Sequence, residues 1–346
     1  MSRIEVLGFK FWIRGVFVLC LLWHTPLFAQ ISEPTDNLKN VKSLDIYLYK
    51  AYDLEVKNDV VTFFKKKQTV AHTLIEYDKN GNEIVRNYYN LATEKPQESY
   101  VYQYDSNNRK TLEMYVLQGI AFGGKTTYSY DQQGRKKEIL VYSAKEELKD
   151  RLLYEYDSLG NLVAEKSPNT LSMMIKEVLY KYDERNNLIE KKNVKTTFVK
   201  EDDLFREIYL YDEHNRLISK VHYDGKDAFV WIYTVKYDAH NRIVSEETKN
   251  SKGKVTSSAT YTYNKKGQLI STYNFDIAEK IPPMRIDYQY DKKGLNTLRH
   301  IYVQNAQTPT ITKRYYYDDK GNWVRWWEFN HTDNTHAIAN RKITYY

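Results

Sequence analysis

The sequence predicts an all-β protein, an antiparallel meander curled into a spiral ribbon or open barrel-like shell. Three observations carry that expectation. A phrase whose common form is aromatic-x-Tyr-Asp-x-x-Gly/Asn recurs ten times, with Ile75, Val235 and Asn264 as single departures and its tyrosine at Tyr77, Tyr104, Tyr130, Tyr156, Tyr182, Tyr211, Tyr237, Tyr263, Tyr290 and Tyr317. The steps are 26 or 27 residues, with a single step of 29. The position three after the aspartate slot is Gly or Asn in all ten copies, a choice that only a backbone constraint explains. A period this regular marks a repeat protein, in which each unit buries its apolar face by stacking on its neighbours.

The chain begins with what reads as a secretory signal over residues 1–29. Arg3, Lys10 and Arg14 precede an apolar run from Val16 to Trp23, with cleavage expected after Ala29. The run is shorter than the ~20 residues a bilayer span needs, so no transmembrane span is expected after its removal. Cys20 follows Leu19, where lipoprotein cleavage wants a small residue, so lipidation is not expected. Losing residues 1–29 takes away three basic groups and one acid, which lowers the formal charge from +7 to +5 and leaves no cysteine. Cohesion must then come from packing and sheet hydrogen bonds, and no cysteine metal site is possible. Charges of both signs are interleaved without a basic block, which argues against nucleic acid as a partner.

Residues 30–70 read as an N-terminal cap or a degenerate repeat. Tyr52-Asp53 lies 25 residues before Tyr77, but Val56 stands where Gly or Asn is needed. Residues 71–346 hold the repeats.

Within each repeat the first element is a strand. Tyrosine pairs such as Tyr102/Tyr104, Tyr154/Tyr156 and Tyr288/Tyr290 are two residues apart, which puts both rings on one face. The residue between them is polar in most copies, as in Gln103, Ser129, Glu155, Lys181, Thr262 and Gln289, so the other face is built for water. A turn follows, with the aspartate accepting backbone N–H bonds and Gly or Asn taking a left-handed conformation. That is a type I turn leading into a bulge, and Asp78, Gly81, Asp131, Gly134, Asp157, Gly160, Asp318 and Gly321 are assigned to it as structural residues. A second apolar strand comes next, as in Leu162-Val163, Leu188-Ile189, Leu217-Ile218, Ile243-Val244 and Leu269-Ile270, before a more variable polar turn returns the chain. A flat sheet of some twenty strands would leave a face rich in tyrosine open to water, so the sheet is expected to curl. A propeller would need alternating odd and even copies, and the sequence shows none. An outer-membrane barrel would need an apolar outward band where this sequence is charged.

The phrases Tyr-Glu-Tyr-Asp-Ser-Leu-Gly-Asn-Leu at 154–162 and Tyr-Leu-Tyr-Asp-Glu-His-Asn-Arg-Leu at 209–217 resemble the YD repeat of the RHS family. The resemblance covers residues 71–346. It implies an antiparallel sheet wound into a spiral strip, export or surface display, and carbohydrate binding as in some relatives. Other relatives carry a toxin. This sequence lacks the Asp-Pro-x-Gly-Leu boundary motif of those forms, and its ten repeats are far fewer.

Trp323, Trp326 and Trp327 crowd the last repeat beside Phe329, and Trp231 stands alone. Such side chains either cap the stack or offer an aromatic platform to a sugar ring, and all four are candidate ligand-binding residues. His214 and His240 share one turn position, and His331, Asp333 and His336 form a loose group. Neither set has the four ligands of a structural zinc, and no metal or cofactor is expected. No nucleophile motif, phosphate loop or paired-carboxylate spacing stands out, so no catalytic residue is assigned. The expected function is a secreted or cell-surface, non-enzymatic scaffold whose partner is a carbohydrate or a cell-envelope protein, in the periplasm, on the outer surface or outside the cell. The alternatives are a polysaccharide-acting hydrolase and a purely structural envelope protein.

Overall fold

The computed structural model describes residues 38–57, 60–117, 120–168, 175–194 and 204–346. The expected signal and its cleavage point lie outside the described residues. So does most of the segment between Lys192 and Glu207 that absorbs the 29-residue step.

Each copy of the phrase becomes one hairpin. In all ten, the residue in the aspartate slot donates its N–H to the carbonyl four residues on, and the Gly or Asn donates back to the carbonyl of that first residue. The Gly or Asn has a positive φ each time, from 60° at Asn108 and Asn215 to 90° at Gly160. Directly beside the turn the pairing slips by one residue, as between Gln103 and Tyr104 or between Lys236 and Tyr237. This is the bulge that a left-handed residue after a type I turn produces.

Among the described residues the hairpins join edge to edge into a single sheet of 22 antiparallel strands. The first two strands are long, β1 (Val41–Lys57) and β2 (Val60–Tyr77), and they pair along most of their length. Tyr52-Asp53 falls inside β1, away from any turn. From β3 (Glu83–Asn90) onward every strand pairs with its neighbours in the chain, as far as β22 (Thr335–Tyr345). The ribbon does not stay open. β22 pairs with β1 from Val41 opposite Tyr345 to Ala51 opposite His336, and this closes a barrel. With an even number of strands, the first and last run antiparallel, so the seam needs no crossover connection.

The two faces differ as the sequence suggests. Gln103, Ser129, Glu155, Lys181, Lys236, Thr262 and Gln289 are exposed, whereas Ile75, Tyr77, Tyr233, Val235, Tyr288 and Tyr315 on the opposite face are buried. Side chains on the inner side of a closed sheet converge, so the tyrosine face is the inner wall. Among the described residues, three buried apolar clusters each draw on neighbouring strands only. One joins Val41, Leu44, Ile75 and Tyr77 at the seam, one joins Met284, Ile286, Tyr288 and Ile301, and one joins Trp327 and Ile338. Packing therefore runs along the wall. Twenty-two strands about 4.8 Å apart give a circumference of roughly 105 Å, enough for an interior space in a round section.

Candidate functional site on the inner wall

The repeated tyrosine and aspartate are occupied by the fold. From Tyr104 onward each phrase tyrosine reaches back to the preceding hairpin and donates its hydroxyl to the carbonyl of the first residue after that turn. Tyr104 bonds Glu83 at 2.8 Å, Tyr130 bonds Lys110 at 2.7 Å, Tyr237 bonds Leu217 at 3.0 Å and Tyr263 bonds Ile243 at 2.9 Å. Tyr156, Tyr182, Tyr211, Tyr290 and Tyr317 repeat the contact. At the seam the Tyr346 hydroxyl donates instead to the carbonyl of the first phrase tyrosine, Tyr77, and ties the chain's end to β2. Burial pushes these phenols above their ordinary range, as at Tyr104, Tyr182 and Tyr290, so they stay protonated donors.

The aspartates are held by their own turns. Asp238 Oδ1 accepts the N–H groups of His240 and Arg242, and its Oδ2 accepts Arg242 Nε at 2.7 Å. The Arg242 hydrogen bond leads the contributions that lower the Asp238 carboxyl to about 2. The same guanidinium lies 4.6 Å over the ring of Tyr263 in the next repeat. Arg109, Arg135 and Arg216 repeat this bridge onto Tyr130, Tyr156 and Tyr237. Asn82, Asn161 and Asn187 take the arginine's place elsewhere, each donating to its own turn aspartate. Asn264, which replaces the aspartate in one copy, makes the same backbone contacts. This fourth position after the aspartate slot is a linking residue that the reading of the phrase passed over. Its signal was present, since it is Asn, Arg or Gln in every copy except Leu295.

The tryptophans separate by face. Trp323 pairs with Tyr317 and Trp326 with Tyr315, so both stand on the inner wall, because the bulge at Val324 shifts the alternation by one. Trp327 pairs with Arg314 on the outer face. Trp323 is 6% exposed and lies under the Arg341 guanidinium at 3.9 Å, with Arg341 Nε donating to the Trp323 carbonyl at 2.7 Å. Trp326 is half-buried, with Lys313 Nζ 4.0 Å over its ring.

Trp231 belongs to a denser group. It lies on β14 (Phe229–Tyr237), opposite His222 of β13 (Leu217–Asp224), which is opposite Glu207 of β12 (Phe205–Tyr211). His222 stacks on Trp231 at 4.8 Å between centroids and on Phe205 at 5.7 Å. Lys220 lies 4.8 Å over Trp231, and Lys191 lies 5.7 Å over Phe205. Beneath the rings Glu207 is 2% exposed. It accepts the Tyr209 hydroxyl at 2.6 Å and lies 3.4 Å from His222 Nδ1 and 3.7 Å from Lys220 Nζ. Burial pushes the Glu207 carboxyl up, but His222, Lys220 and Tyr209 together outweigh it and hold the carboxyl at about 2. Burial lowers Lys220, partly offset by Glu207. Glu246, 5% exposed, accepts the hydroxyls of both Tyr233 and Tyr261. Both buried carboxylates are thus engaged by tyrosines of the wall itself.

Among the described residues no three His, Cys, Asp or Glu side chains are grouped to hold a metal ion. His214 and His240 sit exposed at turn tips. No helix among those residues is long and apolar enough to cross a membrane.

No family model matches the chain, and no curated protein does. Among solved structures, the crystal structure of TcdB2-TccC3 is similar over 86% of this chain and 19% of that one, at 15% identity and a TM-score of 0.31. The chain thus spans about a fifth of that structure's length. A porin-like protein from Bacteroides uniformis is similar over 90% of this chain and 99% of its own, at 9% identity and a TM-score of 0.28. At such TM-scores a common fold is not established, and each is a likeness only.

Proposed function

We propose that the chain is an exported, non-enzymatic scaffold of the YD-repeat kind whose inner wall binds carbohydrate. One observation carries this reading. The two tryptophans that keep accessible surface and face inward, Trp231 and Trp326, each carry a lysine over the ring, at 4.8 and 4.0 Å. An aromatic body beside a cationic donor suits a pyranose ring, whose apolar face stacks while its hydroxyls accept hydrogen bonds. The buried carboxylates favour binding over hydrolysis, since a glycosidase pair must leave one carboxyl free to give up a proton. Here Glu207 is held ionised, and Glu246 is capped by two phenols.

A glycan array probed with the mature protein, its W231A and W326A forms and the double variant tests the proposal. Saturable binding to a defined class of glycan, weakened in each single variant and lost in the double variant, is the expected result. Absence of binding across the array, or binding untouched by both substitutions, overturns it.

A further inference from the structure

The outer face near the seam carries a second group of side chains that the inner-wall reading does not use. On β20 (Ile311–Tyr317), Arg314 stands opposite Trp327 of β21 (Trp323–Asn330), and Trp327 stands opposite Ile338 of β22. One pair along the same strands come Thr312, Phe329 and His336. The rings form a continuous stack. Phe329 lies 4.4 Å from His336 at 8° and 6.1 Å from Trp327, and His331 leans on Phe329 at 4.3 Å. Thr312 Oγ1 is 2.9 Å from His331 Nε2 and 3.2 Å from His300 Nδ1.

What distinguishes this patch is its unanswered nitrogens. Trp327 is 3% exposed, and its Nε1 has no hydrogen-bond partner; Arg314 Nε and His336 Nδ1 are likewise buried and unpartnered. An indole N–H and a guanidinium Nε–H can only donate, and a histidine Nδ1 donates in one neutral tautomer and when protonated. Buried donors are normally satisfied, so two on one cross-strand pair, with an unpartnered imidazole nitrogen on the next strand of the same face, are exceptional and point to a missing acceptor. Among the residues whose side chains are described, the outward positions around them, Leu298, Tyr316, Arg325, Asn340, Tyr47 and Tyr49, bear no carboxylate that could serve. The flanking outward carboxylates are already engaged, Asp45 by His72 at 2.7 Å and Asp287 by Ser271 at 2.7 Å and Arg285 at 3.4 Å.

We infer that this outer patch is a binding site for an oxyanion, a carboxylate, phosphate or sulfate group, received by Arg314, the Trp327 indole N–H and His336. The guanidinium supplies the charge and a planar fork matched to such groups. Arg314 is only half-buried, so it is the group an anion in solution meets first, while the covered indole and imidazole complete the contact. The site is independent of carbohydrate binding on the inner wall, and each stands or falls without the other.

The test is calorimetric and fluorescence titration of the mature barrel at constant ionic strength with sodium phosphate, sodium sulfate, sodium acetate and sodium glucuronate. The last two separate a simple carboxylate from one carried on a sugar. The variants are W327F, which keeps a ring and removes the donor, and R314Q, which removes the charge at the surface. The expected result is saturable binding of at least one anion, with a change in tryptophan emission, weakened about tenfold in R314Q and severalfold in W327F, as loss of a charge-assisted bond implies. Circular dichroism confirms folding, and R314Q alone decides the matter if W327F does not fold. No saturable binding of any of the four anions, or R314Q binding as tightly as the parent, overturns the inference.

Discussion

The hydroxyl bonds between successive repeats are the feature most open to a quantitative check. Changing Tyr211, Tyr237 and Tyr263 together to Phe keeps the rings on the inner wall and deletes three contacts of 2.9, 3.0 and 2.9 Å to the carbonyls of Leu188, Leu217 and Ile243. The arginines stacked over two of these rings, Arg216 at 4.7 Å and Arg242 at 4.6 Å, keep an aromatic partner, so the substitution isolates the hydroxyl. A hydrogen bond of this kind contributes about 1 kcal/mol net, and three in separate repeats should sum to about 3 kcal/mol. Each contact belongs to a different repeat interface, and near-additivity is therefore the expectation. Urea unfolding of the single, double and triple variants measures it, with Tyr316→Phe on the outer face as a control expected to lie within about 0.5 kcal/mol of the parent. A triple variant as stable as that control would refute the idea that these hydroxyls tie the hairpins together.

Four further outcomes follow from the geometry. The Glu207 carboxyl lies at about 2 instead of 4.5, so its contribution is complete above pH 4.5 and is lost as pH falls through 2. At 1.36 kcal/mol per pH unit that is about 3 kcal/mol, and the difference between the parent and E207Q in unfolding free energy against pH should shrink by this amount between pH 5 and 2. A constant difference across that range would contradict the assignment. Gly253 has φ +74° with open space where a Cβ would stand, so Gly253→Ala should cost about 1 kcal/mol. In Gly124→Ala the new Cβ would lie 1.7 Å from the Tyr142 carbonyl oxygen, so thermal unfolding should show a far larger loss, or no folded protein. Lys280 holds φ at 56° in an exposed return turn, and Lys280→Gly should stabilise the barrel by about 0.5 kcal/mol in the same urea assay.

The repeat was legible because its phrase records local backbone needs. A turn opener, a residue that accepts positive φ and two rings on one strand face are all fixed within nine residues, and each can be read without knowing what lies beside it. Closure was not legible in that way. Residues 41–76 carry no complete phrase, and the pairing of Leu44 with Ile343 joins positions far apart in the chain through main-chain bonds that any residue except proline can make. The tryptophans show the same limit on a smaller scale. Plain strand alternation would put Trp323 and Trp327 on one face and Trp326 on the other, but the bulge at Val324 sends Trp323 and Trp326 inward and Trp327 outward. The ladder of charges under Trp231 was hidden for a related reason. Glu207, Lys220 and His222 lie on two strands and become neighbours only through register. By contrast, the linking arginines and asparagines stood at a fixed place in the phrase and were available to a closer reading.

Closure of β1 onto β22 is the claim on which the inner wall, the seam and the outer patch all depend. After removal of residues 1–29 the chain has no cysteine, so a pair can be introduced without competition. Ser43 and Thr344 are directly opposite across the seam, and Cα atoms of paired antiparallel residues lie about 4.5–5.5 Å apart, within reach of a disulfide. The S43C/T344C variant lacking residues 1–29, oxidised at low protein concentration and analysed by non-reducing mass spectrometry, should form one intramolecular disulfide nearly quantitatively. Free thiols, or disulfides only between molecules, would mean that the ribbon is open.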